Sequence, residues 1–163
     1  MATYHVWSGG SNTSPYETWA KAATALATAF TEADTLNDLI LIHKAHDETL
    51  GADVTYTANA AHLVENPLRV IVVDKDDSDT PVDDHTDMGA NGIDGDGAYH
   101  IKLAGNLYVW GLRIINGDSD ARTFTGHLIF ENCEIGINAA GAEYFGFEAA
   151  GKYIFLNCLI LTG

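Results

Sequence analysis

Three stretches, Gly105-Asn-Leu-Tyr-Val-Trp-Gly-Leu-Arg-Ile114, Gly126-His-Leu-Ile-Phe-Glu-Asn-Cys-Glu-Ile135 and Gly151-Lys-Tyr-Ile-Phe-Leu-Asn-Cys-Leu-Ile160, are copies of one pattern. They start 21 and 25 residues apart and align without a gap. In each, alternation on both sides of a central Gly or Asn predicts a strand, a one-residue corner and a second strand. Before the corner, Leu107 and Val109 point inward, matched by Leu128 and Phe130, then by Tyr153 and Phe155. After it, Leu112 and Ile114 point inward, matched by Cys133 and Ile135, then by Cys158 and Ile160. The corner residues Gly111, Asn132 and Asn157 are of the types that tolerate left-handed backbone angles. Short-strand repeats of about 20–50 residues belong to stacked architectures, in which each coil lies on the next at ~4.8 Å.

This pattern predicts an all-β solenoid with parallel strands. A βαβ sheet would need crossover helices, and the intervals Asn116–Thr125 and Asn138–Ala150 are too short and too polar or Gly-rich to supply them. No composition break marks a domain boundary. The chain reads as a single domain, 1–163, with a strand and capping helix over 1–36 and coils over 37–163.

Upstream, Thr3–Trp7 alternates as a short first strand. Ser14-Pro15-Tyr16-Glu17 has the form of a helix start, with Ser as N-cap, Pro at N1 and Glu closing a capping box. The expected helix runs from Pro15 to Ala33 and carries Trp19, Ala22, Ala23, Leu26 and Phe30 on one stripe. Its polar face lacks the basic residues of a membrane-surface helix, so the stripe is expected to cover something apolar. Leu39–Ile42 and Leu68–Val73 read as buried strands, with a polar segment of uncertain pairing over His43–Asn66. Asp74 to Gly97 reads as a long loop, functional or mobile. Ala98–Leu103 then leads into the repeats.

The net charge of −15, with only eight scattered Lys and Arg, argues against nucleic acid as a partner. Nine aspartates and one lysine between Asp74 and Asp96 account for −8 of that charge. No apolar run approaches the roughly 20 residues of a membrane-spanning helix, so no membrane partner is expected. Met1-Ala-Thr-Tyr-His5 has no signal-peptide pattern, and two cysteines do not make a disulfide framework.

The chain resembles the N-terminal part of right-handed parallel β-helix proteins of the pectate-lyase-like type, in particular those of tailed bacteriophages. The residues that carry the likeness are Tyr4-His-Val-Trp-Ser-Gly-Gly10, Ser14-Pro-Tyr-Glu-Thr-Trp-Ala20, Asp38-Leu-Ile-Leu-Ile42 and the pairs Asn132-Cys133 and Asn157-Cys158. The resemblance implies an N-terminal amphipathic helix capping one end of the solenoid. It also implies a homo-oligomer, with a trimer favoured, in contact with other virion proteins. The expected function is a structural virion protein assembled in the host cytoplasm. The alternatives are a tailspike that binds or cleaves surface polysaccharide and a fragment of a carbohydrate-active enzyme. Fold alone does not choose among them.

The last residues, Ile160-Leu-Thr-Gly163, follow a rung directly with no capping element. A solenoid end needs a cap, so a longer chain or a partner is expected to supply it. The outward positions Ile154, Leu156, Leu159 and Leu161 of that rung are all apolar and are the expected oligomer interface. Tyr108, Trp110 and Glu131 are candidate glycan contacts. Glu131 and Glu134 form a carboxylate pair of the kind a glycosidase uses, but an ion pair from Arg113 explains Glu134 structurally, and no catalytic residue is assigned. The calcium-binding acids and basic residue of the lyases in this family are not found. Asp74, Asp76, Asp94 and Asp96 offer oxygen ligands without the spacing of a calcium loop. His43, His46 and Asp47 are close in sequence, but a strand end does not hold i and i+3 on one face. No metal or cofactor is expected. Cys133 and Cys158 read as free, buried thiols on neighbouring rungs.

Overall fold

The computed structural model describes residues 1–117, 124–137, 146–147 and 151–161. Most of the connections 116–125 and 138–150, and the final Thr162-Gly163, lie outside these. The strands are Thr3–Val6 (β1), Leu39–His43 (β2), Asp47–Thr49 (β3), Val54–Thr57 (β4), Leu68–Asp74 (β5), Thr80–Pro81 (β6) and Gly92–Asp94 (β7). They continue with Ile101–Trp110 (β8), Arg113–Asn116 (β9), Phe124–Glu131 (β10), Glu134–Ile137 (β11), Lys152–Leu156 (β12) and Leu159–Leu161 (β13). Among the described residues one α-helix, Leu26–Glu32 (α1), accompanies them, with short 3-10 turns at Trp19–Lys21 and His85–Met88.

The chain is mostly β and its sheets are parallel. The first sheet runs β1-β2-β5-β8-β10-β12, with β4 beside the first half of β8 and the short β6 antiparallel to β5. The second runs β13-β11-β9-β7-β3. From β7 onward the chain alternates between the two sheets. Both supply inward side chains to one apolar cluster, which reaches from Val6 through Val70 and Val109 to Ile135.

The three copies pair in the register their alignment predicts: Leu107↔Leu128↔Tyr153 and Val109↔Phe130↔Phe155 in the first sheet, Arg113↔Glu134↔Leu159 in the second. The corners have the expected left-handed angles, with φ of 71° at Gly111, 57° at Asn132 and 52° at Asn157. Backbone bonds continue through them, since Gly111 N–H donates to Glu131 and Asn132 N–H to Leu156. The opening glycines have a separate role. Gly105 and Gly126 have φ of 89° and 97° and bend β8 and β10 in step; a Cβ on Gly126 would lie 2.3 Å from the Gly105 carbonyl oxygen. That bend lets the first half of β8 pair with β4 and the second half with β5.

The expected helix over Pro15–Ala33 does not form as one element. Residues 19–21 make a short 3-10 turn, Tyr16 has φ of 60° and Thr18 is extended; α1 itself spans only Leu26–Glu32. The reason lies in β1, whose outer edge would otherwise present unpaired backbone groups. His5 N–H donates to Tyr16, Trp7 N–H to Ala23, and Ala23 N–H to His5, so this segment lies along β1 as a strand would. The predicted capping box gives way to a distant cap: Ala25 at the N-cap has no donor-accepting side chain, and Glu48 Oε2 accepts from Leu26 N–H at 2.8 Å. The predicted stripe is divided accordingly. Leu26 and Phe30 enter the core, Phe30 packing on Tyr56, whereas Trp19 lies on the outer face against His5 and His43, beside the small cluster of Leu41, Ile71 and Val73.

Two other expectations are revised. The polar segment His43–Asn66 contains β3 and β4, and the aspartate-rich stretch is largely pinned rather than a free loop. Val82 is buried against Gly111 and its N–H donates to Val72; Met88 is buried; His85 N–H donates to Asn132; and β7 completes the second sheet between β3 and β9. The few apolar residues of the stretch, Val82, Met88 and Ile93, are drawn into the core, and the aspartates stay exposed or half-buried at its surface.

At the far side, β12 and β13 are the edge strands, with no further strand on them among the described residues. The spacing places Ile160 inward with Ile114 and Ile135; those two are 1–2% exposed and Ile160 is 47% exposed, because nothing described lies beyond it.

The corner geometry sets a test of the fold. Asn132→Val should lower unfolding free energy by about 1–2 kcal/mol, the cost of a β-branched residue at positive φ, while Asn132→Gly should stay close to wild type. Urea denaturation compares the two.

Candidate functional site on the outer face of the first sheet

Alternation along β5, β8 and β10 sends every second side chain outward, and the shared register aligns these into two ladders. One reads Leu39, Arg69, Tyr108, Ile129, Ile154; the other reads Leu41, Ile71, Trp110, Glu131, Leu156. Where the ladders cross β5 and β8, Arg69, Ile71, Tyr108 and Trp110 line an open cleft of about 270 Å³, closed on one side by Pro81.

Both aromatic rings are held by their polar ends. Trp110 Nε1 donates to the Val82 carbonyl at 2.7 Å, and the Tyr108 hydroxyl donates to Glu131 Oε2 at 2.8 Å. Burial, followed by the bond to Glu131, pushes the Tyr108 phenol up to about 12, so it remains a donor at neutral pH. The cleft therefore has fixed apolar ring faces in its floor and an exposed guanidinium at Arg69, with the Glu131 carboxylate next to it on the ladder, holding the Tyr108 hydroxyl. Sites for small polar-apolar ligands such as sugars share this make-up.

The structure thus brings Tyr108, Trp110 and Glu131 together. Sequence reasoning missed Arg69, Ile71 and Pro81. The alternation of Leu68, Val70 and Val72 is the signal for the first two, because it matches that of Leu107 and Val109 and so puts Arg69 and Ile71 on the Tyr108 face. Pro81 arrives through the β6 hairpin and has no signal in the repeat. Glu134, beyond the corner, belongs to the second sheet, where Arg113 Nε lies 3.3 Å from its carboxylate and His85 Nε2 3.9 Å. Its role as the structural partner of Arg113 is the one observed.

Ile154 and Leu156 top the two ladders, and Leu159 and Leu161 lie past the Asn157 corner on β13. All four are 42–47% exposed. A shallow apolar hollow of about 120 Å³ beside Ile154 is lined by Val64, Pro67, Ile129 and neighbouring residues.

Of the candidate metal ligands, Asp74 and Asp76 meet His43, with one ligand atom from each lying within 4.8 Å of the others. Their surroundings oppose a metal. Lys44 Nζ is 2.6 Å from Asp74 and Lys75 Nζ 2.6 Å from Asp76, so each carboxylate already has an ammonium partner. Ala45 N–H donates to His43 Nδ1 at 3.0 Å, which leaves the ring hydrogen of the neutral imidazole on Nε2, facing Asp76 at 3.9 Å. A metal at Nε2 would need the other tautomer and would set Nδ1–H against the Ala45 N–H. Asp94 and Asp96 form a separate turn at the end of β7, Asp96 N–H donating to Asp94. The His46 ring pairs with Glu48 at 3.2 Å, while its backbone N–H donates to the His43 carbonyl.

His43 is buried between Trp7 and Trp19. Burial, aided by Lys75, lowers its pKa below the ordinary 6.5; burial also lowers that of His5. The folded state therefore prefers both rings neutral, and below about pH 6.5 the unfolded chain binds more protons. Stability should be level above pH 6.5 and fall as the pH drops through 6.5 toward the lower folded-state values. Thermal melts from pH 8 to 5 check this, and His43→Gln should flatten the decline.

No helix among the described residues is long and apolar enough to cross a membrane. Comparison with known proteins finds no matching family model, no matching curated protein and no matching solved structure.

Proposed function

We propose that the chain is a right-handed parallel β-helix that serves as an oligomeric structural module of a tailed-phage virion, with its last rung as the contact surface. The observation that carries this reading is the state of that rung. Ile154, Leu156, Leu159, Ile160 and Leu161 are 42–47% exposed on both sheets at once, while inward positions one rung earlier are closed. Covering five half-exposed Leu and Ile side chains contributes about 1 kcal/mol each. Among the described residues nothing covers this surface, and a contiguous apolar patch of this kind marks an interaction site. The helical reading of the two sheets is supported by the one-to-one stacking of the copies and by strands that alternate between sheets. The phage and virion assignment is supported by the sequence resemblance, which also favours three subunits.

Sedimentation of the purified chain should give a trimer, and Ile154→Glu should shift it to a monomer without loss of β-sheet signal. A stable monomer at all concentrations, with these side chains open to hydroxyl-radical footprinting, would sink the reading.

The cleft favours a second reading, a spike that binds surface polysaccharide. Its support is the convergence of Arg69, Tyr108 and Trp110 in one 270 Å³ cleft, with Glu131 bonded to the Tyr108 hydroxyl beside it. A glycan array should then return a ligand, with Trp110→Ala weakening it roughly tenfold or more through loss of the stacking face. An array blank for the wild-type chain counts against this role and leaves the structural module.

A further inference from the structure

Cys133 and Cys158 each follow a left-handed corner residue, at the same position of consecutive copies. Glu131↔Leu156 before them and Glu134↔Leu159 after them share one register, and Leu159 N–H donates to the Cys133 carbonyl at 2.9 Å. The two cysteines are thus one strand spacing apart, ~4.8 Å, inside the roughly 4.4–6.8 Å between Cα atoms that a disulfide spans. Both side chains turn to the core, Cys133 within the apolar cluster and Cys158 packed against it. With both protonated, each thiol donates to the carbonyl two residues earlier, at 3.3 Å; with Cys158 ionised, the Cys133 S–H turns to it instead. They differ in access: Cys133 is fully buried, whereas Cys158, on the edge rung, is only partly covered.

We propose that this is a redox-active pair, in which Cys158 exchanges with a small-molecule disulfide such as oxidised glutathione and Cys133 resolves the product, stapling the last rung to the one before it. The Cys158 thiolate, its proton released to water, attacks one sulfur of the external disulfide, forms a mixed disulfide and expels one glutathione thiolate. Cys133 then loses its proton to solvent, attacks the Cys158 sulfur and expels the second thiolate. Both thiolates take up the released protons, so two protein thiols are oxidised to one disulfide as the external disulfide is reduced to two thiols.

The environment of each sulfur suits its part. The hydrogen bond from the Cys133 thiol brings Cys158 down to about 6, against the opposing effect of its partial burial. Burial, with the neighbouring Cys158 charge, holds Cys133 well above its ordinary value. The entry thiol is therefore ionised at neutral pH and the resolving thiol stays protonated until the mixed disulfide forms. The staple joins β12 and β13 to β10 and β11 on the edge where nothing described lies beyond.

The test is native incubation of the full chain with oxidised glutathione, followed by mass spectrometry. Wild type should lose the mass of two hydrogens and keep no glutathione. Cys133→Ser should keep one glutathione, mapped to Cys158, and Cys158→Ser should react at least about tenfold more slowly at its remaining thiol. If Cys133→Ser does not fold, Cys133→Ala serves in its place, since it adds no buried hydroxyl. Wild type that keeps glutathione on Cys158 with Cys133 still reduced, a Cys133 variant that takes up none, or a disulfide between chains overturns the pair. The same reaction run on the monomeric Ile154→Glu chain separates this inference from the oligomer reading. Failure there counts against the cysteines whatever the assembly state, whereas reaction in the variant but not in the wild-type assembly supports both.

Discussion

Parallel pairing in strict register is the constraint on which the rest of this structure depends. Once Gly105, Gly126 and their neighbours stack with no insertion between corner and strand, every side chain meets its counterpart above and below. Phe130 then lies flat on Phe155, with ring centroids 5.2 Å apart and planes 5° apart, and Arg113 meets Glu134 across one ladder step. The register also needs a corner that turns the chain in one residue. A left-handed Gly or Asn supplies it on each rung, so the bonds of the first sheet pass into those of the second without a gap.

A ladder of this kind leaves edges, and much of the remaining chain is organised around covering them. The segment from Tyr16 to Ala23 lies along β1, and α1 follows it into the core at the same end, held by Glu48 from β3. Along the side, Val82 and Met88 hold the aspartate-rich stretch against the corners. That stretch in turn fixes Trp110 through the Val82 carbonyl and Trp19 through Asp79. The outer cleft is thus a by-product of edge covering: its floor comes from the ladders and its wall from the β6 hairpin. At β12 and β13 no such cover lies among the described residues, and the oligomer proposal and the cysteine proposal both draw on that contrast.

Cys133 and Cys158 show how a position in a ladder becomes chemistry. Leu112, Cys133 and Cys158 are equivalent inward sites, so two thiols are brought side by side by the same register that stacks the phenylalanines. Both lie in an Asn-Cys-x-Ile frame, flanked by Glu131 and Glu134 in one copy and by Leu156 and Leu159 in the next. Their difference in burial comes from one being inside the stack and the other at its edge.

The sequence by itself determined the ladder. Period-two alternation and a left-handed corner are local properties, and three aligned copies made the inward set from Leu107 to Ile135, the corners and the Arg113–Glu134 contact legible. Tyr108, Trp110 and Glu131 were legible as one face for the same reason. What only the tertiary structure decided was the fate of residues whose partners are far away in the chain. Ser14-Pro-Tyr-Glu17 has every local mark of a helix start, yet the unpaired edge of β1 takes its backbone instead. The aspartate-rich stretch looks like a solvated loop, yet burying Val82, Met88 and Ile93 pins it down and places β7 in the second sheet. In both cases long-range hydrogen bonding and apolar burial outweigh local preference, because an open strand edge or an uncovered core costs more than one lost helix cap.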